Sequence, residues 1–586
     1  MKHIAVPDPK SIKNNAVLIL NSVWFPYLSI AGVILIVYAR SLFFQFVGLD
    51  DTHLILESGS RLSSFKNIGR AFAADVFWKT PGTYYRPVLN LSLMLDHWWG
   101  GPRPYIYHLG NILLHLTASC LLYLNLVKLR YKKHAVLFLA LLFAAHPALS
   151  QAVAWIPGRN DTLLAVFILL SFYSFRSYLN NGKVVWLSAH VLSFVLALFT
   201  KETAVLFPAL LVAYIMLSGS EKQGWRQRAA LAAGWAASLA LWAIMRSMAL
   251  QGGSGLKGLQ LGPWRELLQG LTAYWGKILF PFDLSVLPFP ADLSPVYGFL
   301  GLGLFLLLAL AKGIESKKHF LWGALWFFLF LLPTALRDSP YIHFLEHRLY
   351  LPLFGFIIMA METNFVSRWS LPLEKTLLIT GLWLAGWIIL SLAHIGVFAG
   401  PNAFWGNAGK TATHSYFVHQ MRGKLHARQG SWQAAEKEYL LSLTLRPDQA
   451  VVYNDLGSLY EVAGQSGKAE AAYLKAADLE PFNSLFYNNL GNYYLNNLDL
   501  EKAESYLARS LSLKNDSGEA HANLAMVHIK SGDYPNAKKE LLSAASLIPG
   551  NPNIYEQLSK VCLAMNMADS AAYYHNLALR CINTTK

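Results

Sequence analysis

The sequence predicts an all-α membrane protein, in which a polytopic helical bundle precedes a superhelix of short repeats. Hydrophobic residues make up 54% of the 586-residue chain and charged residues only 14%, whereas soluble domains carry about 25% charged residues. Apolar runs suited to crossing a bilayer recur as far as residue 397. Beyond about residue 412, a period of 34 residues replaces them.

The excess of positive charge lies in the apolar part of the chain. There are 49 Lys and Arg against 34 Asp and Glu, a net charge of +15. Residues 401–586 contain 17 basic and 17 acidic residues, so the repeat region is neutral. This distribution is typical of basic cytoplasmic loops rather than of a nucleic-acid-binding surface, and no nucleic-acid partner is expected. Three cysteines do not define a redox compartment.

The first span follows a polar, basic segment at residues 1–15 and continues through Phe44. It is longer than a signal-peptide core and no small-residue cleavage site follows it, which predicts an uncleaved span. The basic residues before it place the N-terminus in the cytoplasm. Residues 47–105 are less apolar and are expected to form a long outer loop.

Ten further spans are expected, for a total of about eleven. They lie roughly at 107–127, 135–154, 162–180, 185–200, 203–218, 228–248, 296–312, 320–336, 348–366 and 374–397. Under this assignment the four most basic loops all face the cytoplasm. An odd number of spans places the C-terminal repeats on the side opposite the N-terminus.

Residues 266–281 are apolar but are interpreted as an outer interfacial or re-entrant helix that stops at Pro281. A crossing at this point would turn Lys317 and Lys318 outward, against the charge rule.

The 34-residue period is marked by small residues and prolines at fixed positions. These are Gly423, Gly457 and Gly491; Ala435, Ala469, Ala503, Ala537 and Ala571; and Pro447, Pro481 and Pro549. In tetratricopeptide repeats, small residues let two helices approach and Pro ends the second helix. We expect about five repeats, and domains at 1–403 and 404–586. Such an array commonly binds a peptide or protein, and an assembly scaffold is the alternative interpretation.

Asp50 and Asp51 are adjacent just beyond the first span. Two carboxylates at a membrane surface suit a general base or a cation site. The alternative is a polar flank or a helix N-cap. A divalent cation is a possible cofactor, although no complete ligand set is visible in the sequence.

Four cations are expected on the same outer side as this pair and are candidates for holding a phosphate: Arg86, Arg159, Lys201 and Arg348. Simpler roles are interfacial anchoring for Arg86 and an ion pair between Arg159 and Asp161. Five residues are expected to line the site: Tyr85, His108, His146, Asp161 and Glu202. His108 and His115 lie two helical turns apart, which is too far for one metal ion and favours packing.

Eight short motifs, in this order, resemble the transmembrane and tetratricopeptide-repeat-containing protein O-mannosyltransferases, which have a C-type glycosyltransferase (GT-C) fold. They are LDD (49–51), YYRPV (84–88), HLGNILLH (108–115), LFAAHP (142–147), QAVAWIPGRND (151–161), TKE (200–202), LFPFDLS (279–285) and EHRLYLP (346–352). One departure is Gln151, where the family usually carries Glu.

The resemblance implies a multi-pass membrane enzyme that transfers a sugar, typically mannose, from a dolichyl or other polyprenyl phosphate to Ser or Thr hydroxyls of proteins. Asp50 corresponds to the family's catalytic base, and Asp51 to a residue that supports the acceptor or a cation. The active site and the repeats would both be extracytoplasmic, in a bacterial inner membrane or an ER-type membrane. The partners would be the lipid-linked donor, an acceptor protein or peptide held by the repeats, and membrane lipid.

Three alternatives remain open at this stage. The same fold could glycosylate a lipid or a polysaccharide. The chain could instead be a non-enzymatic scaffold whose repeats recruit partners. A transporter is disfavoured because no inverted repeat of interrupted spans is visible.

Overall fold

A computed structural model describes residues 22–78, 82–218, 224–251, 260–261, 264–337, 344–367 and 373–584. These residues are predominantly helical and divide into two compact units, Met1–His414 and Ser415–Lys586. The only strands among them are β1 (Gln260–Leu261) and β2 (Leu336–Arg337), which pair antiparallel. The all-α fold class predicted from the sequence is therefore confirmed.

The helices of the first unit are α1 (Phe25–Tyr38), α2 (Gly59–Leu62), α3 (Ile68–Ala73), α4 (Pro87–Gly100), α5 (Pro104–Lys128), α6 (Lys133–Ala144), α7 (Ser150–Ala154), α8 (Arg159–Asn181), α9 (Val184–Leu198), α10 (Phe207–Ser218), α11 (Trp225–Leu250), α12 (Trp264–Leu279), α13 (Val296–Lys312), α14 (Lys317–Leu331), α15 (Pro352–Glu362), α16 (Asn364–Ser367), α17 (Leu373–Ile395) and α18 (Pro401–Thr411). Short 3₁₀ or π turns connect several of them: Ala39–Phe43, Thr52–Leu56, Phe65–Asn67, Pro147–Leu149, Ile156–Gly158, Glu202–Leu206, Pro290–Asp292, Leu332–Ala335, Glu346–Leu349 and Gly396–Phe398.

Each of the eleven predicted spans coincides with a helix or a bent pair of helices. Five segments of the described residues are long and apolar enough to cross a membrane: Phe25–Phe43, Pro104–Lys128, Ile156–Asn181, Trp225–Leu250 and Lys375–Phe398. A sixth is the pair Lys133–Ala144 and Pro147–Ala154, bent by 50°. Several other apolar helices are shorter. The membrane character is confirmed, while the number of spans stays a prediction.

The bend in the third predicted span lies at His146 and Pro147. Pro147 has no N–H to donate to the preceding turn, so the helix breaks there. His146 caps the new 3₁₀ turn by accepting a hydrogen bond from the Ala148 N–H at its Nδ1, 3.2 Å away. The His146 Nε2 then donates to the Ile278 carbonyl, 3.1 Å away on α12.

Helix α12 occupies the segment for which an interfacial or re-entrant helix is predicted, and it ends two residues before Pro281. Every residue of this helix from Thr272 to Ile278 is buried. It packs closely on α13, since a Cβ built at Gly298 would lie 2.0 Å from the Thr272 carbonyl oxygen. Only glycine permits the two helices to approach this closely. Lys277, which lies on the packed part of α12, is buried as a result.

The second unit consists of five helical hairpins, all within the described residues. Their helices are α19 (Tyr416–Arg428), α20 (Trp432–Leu445), α21 (Ala450–Val462), α22 (Ser466–Leu479), α23 (Ser484–Asn496), α24 (Leu500–Leu513), α25 (Gly518–Ser531), α26 (Tyr534–Leu547), α27 (Pro552–Ala564) and α28 (Ala568–Thr584).

The small residues that mark the repeat lie where two helices of a hairpin meet. A Cβ at Gly457 would come within 2.6 Å of the Tyr473 ring, and one at Gly423 within 2.5 Å of the Tyr439 ring. Ala469 and Ala503 are fully buried at the equivalent position of the second helix. The tetratricopeptide-like character predicted for the C-terminal region is confirmed, while the domain bounds and the number of repeats stay predictions.

Candidate active site

The Asp50–Asp51 pair follows a tight reversal of the chain after the first span. Gly48 and Leu49 both have positive φ angles, of 89° and 56°. Positive φ is rare for a residue with the bulk of leucine, and such strain concentrates at functional positions. The turn leads into the π-helical segment Thr52–Leu56.

Asp51 points into the protein. Its side chain is 1% exposed, and its Oδ2 accepts a hydrogen bond from the Val47 N–H at 2.8 Å. Its Oδ1 has no hydrogen-bond partner among the described residues. Burial raises the pKa of Asp51 from 3.8 to about 8, because desolvation and the neighbouring Asp50 charge outweigh the Val47 bond. Asp51 is therefore protonated near neutral pH, which makes it a weak cation ligand.

Asp50 differs from its neighbour in that it is partly exposed. Its carboxylate makes no hydrogen bond or ion pair with another described residue. Desolvation raises the pKa of Asp50, while the charges of Arg86 and His53 oppose this rise. An unpaired, partly exposed carboxylate with a raised pKa can accept a proton from a substrate more readily than an ordinary aspartate.

Arg86 is close enough to Asp50 to lower its pKa, and it is held by Glu202. The Arg86 Nε and Nη2 both donate to the Glu202 Oε2, at 3.1 and 3.0 Å. The guanidinium also lies 4.6 Å from the centre of the Tyr84 ring. The Glu202 Oε1 is buried and has no hydrogen-bond partner within the described part of the chain. Glu202 thus both orients Arg86 and presents a free acceptor.

Tyr85, the residue between Tyr84 and Arg86, has a packing role. It is fully buried, its hydroxyl donates to the Phe72 carbonyl at 3.0 Å, and its ring meets Phe199 edge to face. Tyr85 anchors the segment that carries Arg86 and does not itself reach the site.

Lys201 and Asp161 form a second ion pair beside the first. The Lys201 Nζ donates to both Asp161 carboxylate oxygens, at 2.7 and 2.8 Å. Burial lowers the pKa of Lys201, and the charges of Arg86 and Arg348 lower it further against the opposing effect of Asp161. These mutual effects show that Arg86, Lys201 and Arg348 lie in one cluster.

Arg348 is the cation of this cluster without a fixed partner. It is half-buried on the 3₁₀ turn Glu346–Leu349, and its guanidinium makes no hydrogen bond or ion pair with any other residue that the structure describes. The turn itself is held by Glu346, which accepts from Lys277 Nζ at 2.9 Å and from the Ser285 N–H at 2.6 Å. His394 Nε2 lies 3.0 Å from the other Glu346 oxygen.

Gln151 holds His347, the residue before Arg348. The Gln151 Oε1 accepts from the His347 N–H and Nδ1, each at 3.0 Å, while its Nε2 donates to the Val286 carbonyl at 2.7 Å. An amide supplies a donor and an acceptor together, whereas an ionised glutamate only accepts. The departure from the family residue therefore fits its surroundings, and Gln151 positions the turn that carries Arg348.

Arg159 lies apart from these charges. It is 1% exposed, its Nη2 is 2.5 Å from the Asp96 Oδ2, and its Nε donates to the Asn111 Oδ1 at 2.6 Å. It also donates to the carbonyls of Ser92 and Tyr107. Arg159 does not pair with Asp161, and its donors are already occupied, so we omit it from the proposed phosphate site.

The histidines of the candidate set are buried between helices. His108 has no hydrogen-bond partner at either ring nitrogen among the described residues and meets Phe44 edge to face. His115 contacts the Tyr350 hydroxyl at 2.6 Å and the Ala144 carbonyl at 3.0 Å. His146 maintains the bend already described. The described residues contain no group of three or more His, Cys, Asp or Glu that could hold a metal ion.

The sequence motifs do not reveal two of the residues that organise the site. Asp96 lies on α4 outside every motif, and Lys277 lies on the helix that was predicted to be interfacial. Asp96 neutralises Arg159, and Lys277 neutralises Glu346; both partners are motif residues distant in sequence. A buried charge demands a partner, but the partner's position depends on tertiary packing.

Comparison with known proteins agrees with this organisation. Residues 106–245 match the family described as dolichyl-phosphate-mannose-protein mannosyltransferase. Residues 450–483 and 472–505 match tetratricopeptide-repeat families. The crystal structure of MamA is 21% identical, and the match covers 28% of this chain and 95% of that one, but its TM-score of 0.26 carries no argument.

The curated relatives are protein O-mannosyl-transferases. Tmtc1 of Drosophila melanogaster is 34% identical over 29% of this chain and 20% of its own length. TMTC3 of Homo sapiens is 32% identical over 29% and 19%, and TMTC2 of Homo sapiens is 40% identical over 16% and 12%. The matches span at most about a fifth of these relatives. The resemblance to this family is confirmed, and the match supports a glycosyltransferase.

The pH dependence of stability tests the position of Asp51. Because the pKa of Asp51 is about 8 in the folded chain and near 3.8 when unfolded, its contribution to stability is lost as pH rises between these values. Asparagine does not titrate in this range, so Asp51→Asn removes this pH-dependent loss of stability. We expect the variant to gain stability relative to the parent chain as pH rises from about 5 to about 8, measured by thermal unfolding in detergent. Glu57→Gln, an exposed carboxylate nearby, is the control. A difference that does not change with pH would contradict the assignment.

The buried Arg159–Asp96 pair predicts a large effect on stability. Asp96→Ala leaves a buried guanidinium without its counter-charge, which costs about 3–5 kcal/mol. Glu57→Ala breaks an exposed pair with His53 and is expected to cost about 0–1 kcal/mol. Thermal unfolding of both purified variants measures the contrast. Equal, small effects would show that Asp96 is not needed to neutralise Arg159.

Proposed function

We propose that this chain is a membrane glycosyltransferase that moves a sugar, mannose in the first instance, from a polyprenyl or dolichyl phosphate to Ser or Thr hydroxyls of proteins. The observation that carries the proposal is a carboxylate, Asp50, in the same cluster as a guanidinium, Arg348, where neither side chain has an ion-pair partner among the described residues. A base and an anion-binding cation are the two groups that glycosyl transfer from a lipid phosphate needs. In this proposal, both the site and the repeats are extracytoplasmic.

Asp50 acts as the general base in this proposal. Its carboxylate removes the proton from the acceptor hydroxyl while the hydroxyl oxygen attacks the anomeric carbon. The bond from that carbon to the phosphate oxygen breaks, and the lipid phosphate leaves with the electron pair. Attack opposite the leaving group inverts the anomeric configuration. The raised pKa of Asp50 supports this role, because a better base takes the proton earlier.

The leaving phosphate is stabilised by Arg348, with Lys201 and Arg86 contributing positive charge nearby. Arg86 and Lys201 are each balanced by a carboxylate, Glu202 and Asp161. Their net field is therefore weak, and Arg348 supplies the uncompensated charge. The unpartnered Glu202 Oε1 is suited to accept a hydrogen bond from a sugar hydroxyl. Asp51, as a buried neutral acid, keeps the turn in place behind Asp50.

The repeat unit serves the acceptor. Helical hairpins stack into a concave surface that suits an extended polypeptide. Holding the acceptor raises its effective concentration at a site in the same chain. A divalent cation has no role in this proposal, since the charge of the leaving group is met by side chains.

Substitution of the two aspartates separates chemistry from folding. Asp50→Asn is expected to lower the transfer rate about 10²–10⁴-fold, the typical contribution of a general base, with donor binding retained. Asp51→Asn replaces a carboxyl that is already neutral, so it is expected to keep most of the activity. The measurement is transfer from several polyprenyl-phosphate sugars to peptide, lipid and polysaccharide acceptors, followed by mass spectrometry of the products.

Full activity in Asp50→Asn would remove Asp50 from the mechanism. Transfer to lipid or polysaccharide but not to peptide would show that the acceptor is not a protein, while the proposed site would stand. A parent chain that binds no donor would favour a non-enzymatic scaffold.

Arg348 is expected to govern donor affinity. Loss of a hydrogen bond between charged groups costs about 1.5–3 kcal/mol, so Arg348→Gln should raise the donor KM about 10-fold or more. Arg348→Lys keeps the charge and should recover part of the affinity. Arg103→Gln removes an exposed cation of the outer segment and serves as the control. An unchanged donor KM in Arg348→Gln would contradict the proposed role.

A further inference from the structure

A second pair of cations lies at the end of α5 and in the last turns of α8, the helix that carries Asp161. Lys128 is the last residue of α5, and Arg176 lies in the final turns of α8. Helix α8 begins at Arg159 beside Asp161, and at 1.5 Å per residue Arg176 is about 25 Å further along. The pair therefore lies near the opposite membrane face from Asp161 and Lys201.

Neither cation forms an ion pair with a residue that the structure describes. The Lys128 ammonium donates to the Ser177 hydroxyl and lies 3.8 Å from the centre of the Tyr173 ring. The Arg176 guanidinium lies 5.8 Å from the centre of the Tyr214 ring. Its Nη1 is buried and has no hydrogen-bond partner in the described part of the chain. A buried, unsatisfied guanidinium nitrogen is costly unless a ligand occupies it.

Glu362, a buried carboxylate at this end of the bundle, already has partners. Glu362 accepts from the hydroxyl of Tyr131 at 2.5 Å and from the Ser316 N–H at 3.1 Å, and His319 lies 3.2 Å away. Two half-buried cations therefore lie close together without a carboxylate partner among the described residues. Electrostatically, this region is complementary to an anion.

We infer that Lys128 and Arg176 bind the phosphate group of an anionic membrane lipid. Arginine and lysine donate charge-assisted hydrogen bonds to phosphate oxygens. The Trp186 ring lies 5.7 Å from the Lys128 Nζ, and aromatic rings of this kind are enriched at headgroup depth. Val184 and Val185, just before Trp186, are 70% and 65% exposed and offer apolar surface to an acyl chain. A lipid satisfies both the cations and this apolar surface, whereas free phosphate satisfies the cations alone.

Lipid binding to the full-length protein in detergent tests this inference. The probe is phosphatidylglycerol, with phosphatidylcholine as the zwitterionic lipid and inorganic phosphate as the soluble anion. We compare the parent chain, the double variant Lys128→Gln/Arg176→Gln, and Lys133→Gln/Lys183→Gln, which removes the same charge from exposed positions at the same end. Native mass spectrometry gives the bound lipid, and thermal unfolding gives the stabilisation.

The parent chain and the exposed-lysine control are expected to bind phosphatidylglycerol in preference to phosphatidylcholine. The double variant is expected to lose about 10-fold or more in affinity, as for two lost charged hydrogen bonds. Equal phosphatidylglycerol binding by both double variants would overturn the inference. Stabilisation by inorganic phosphate that matches that by the lipid would overturn the lipid assignment. If the double variant does not fold, Arg176→Gln against Arg176→Lys decides, because only the lysine variant should retain binding.

Discussion

The structure of the first unit depends on the need to neutralise charges buried between apolar helices. An ionised group in such surroundings must meet an opposite charge or leave a large desolvation cost uncompensated. The chain meets this need with long-range pairs, each of which joins segments far apart in sequence. They are Arg159–Asp96, Arg86–Glu202, Lys201–Asp161 and Lys277–Glu346. These pairs fix the loops between the helices and therefore the geometry of the site.

Two charged side chains of the candidate site, Asp50 and Arg348, differ from these pairs. The side chains of Asp50 and Arg348 have no ion-pair partner among the described residues, although the charges beside them form the pairs Arg86–Glu202 and Lys201–Asp161. The backbone around them is also held firmly, by the left-handed turn at Leu49 and by the Gln151 bonds to His347. A site in which the surrounding cations are paired, while one carboxylate and one guanidinium have no partner among the described residues, suits a charged ligand. The proposed transferase requires this arrangement, whereas paired charges would suffice for a scaffold.

The sequence predicts the fold class, the positions of the helices and the repeat well, because these features are encoded locally. Apolar runs specify helices in a bilayer, and Gly457 and Ala469 recur because two helices touch at these points in each hairpin. The sequence also identifies most of the charged residues that cluster. It does not reveal which of them are structural: Arg159 and Lys201 look alike in the motifs, yet only Lys201 joins the cluster. Asp96 and Asn111 occupy the hydrogen-bond donors of Arg159 through tertiary contacts that no local sequence pattern encodes.

The most direct test of the proposed mechanism is a structure of the protein with an intact lipid-phosphate sugar, obtained on the inactive Asp50→Asn variant. We expect the phosphate to contact Arg348 and to lie beside Lys201 and Arg86. We also expect the anomeric carbon to face residue 50, with space for a hydroxyl between them. A phosphate bound away from Arg348, or a sugar on the opposite side of the cluster from residue 50, would contradict it.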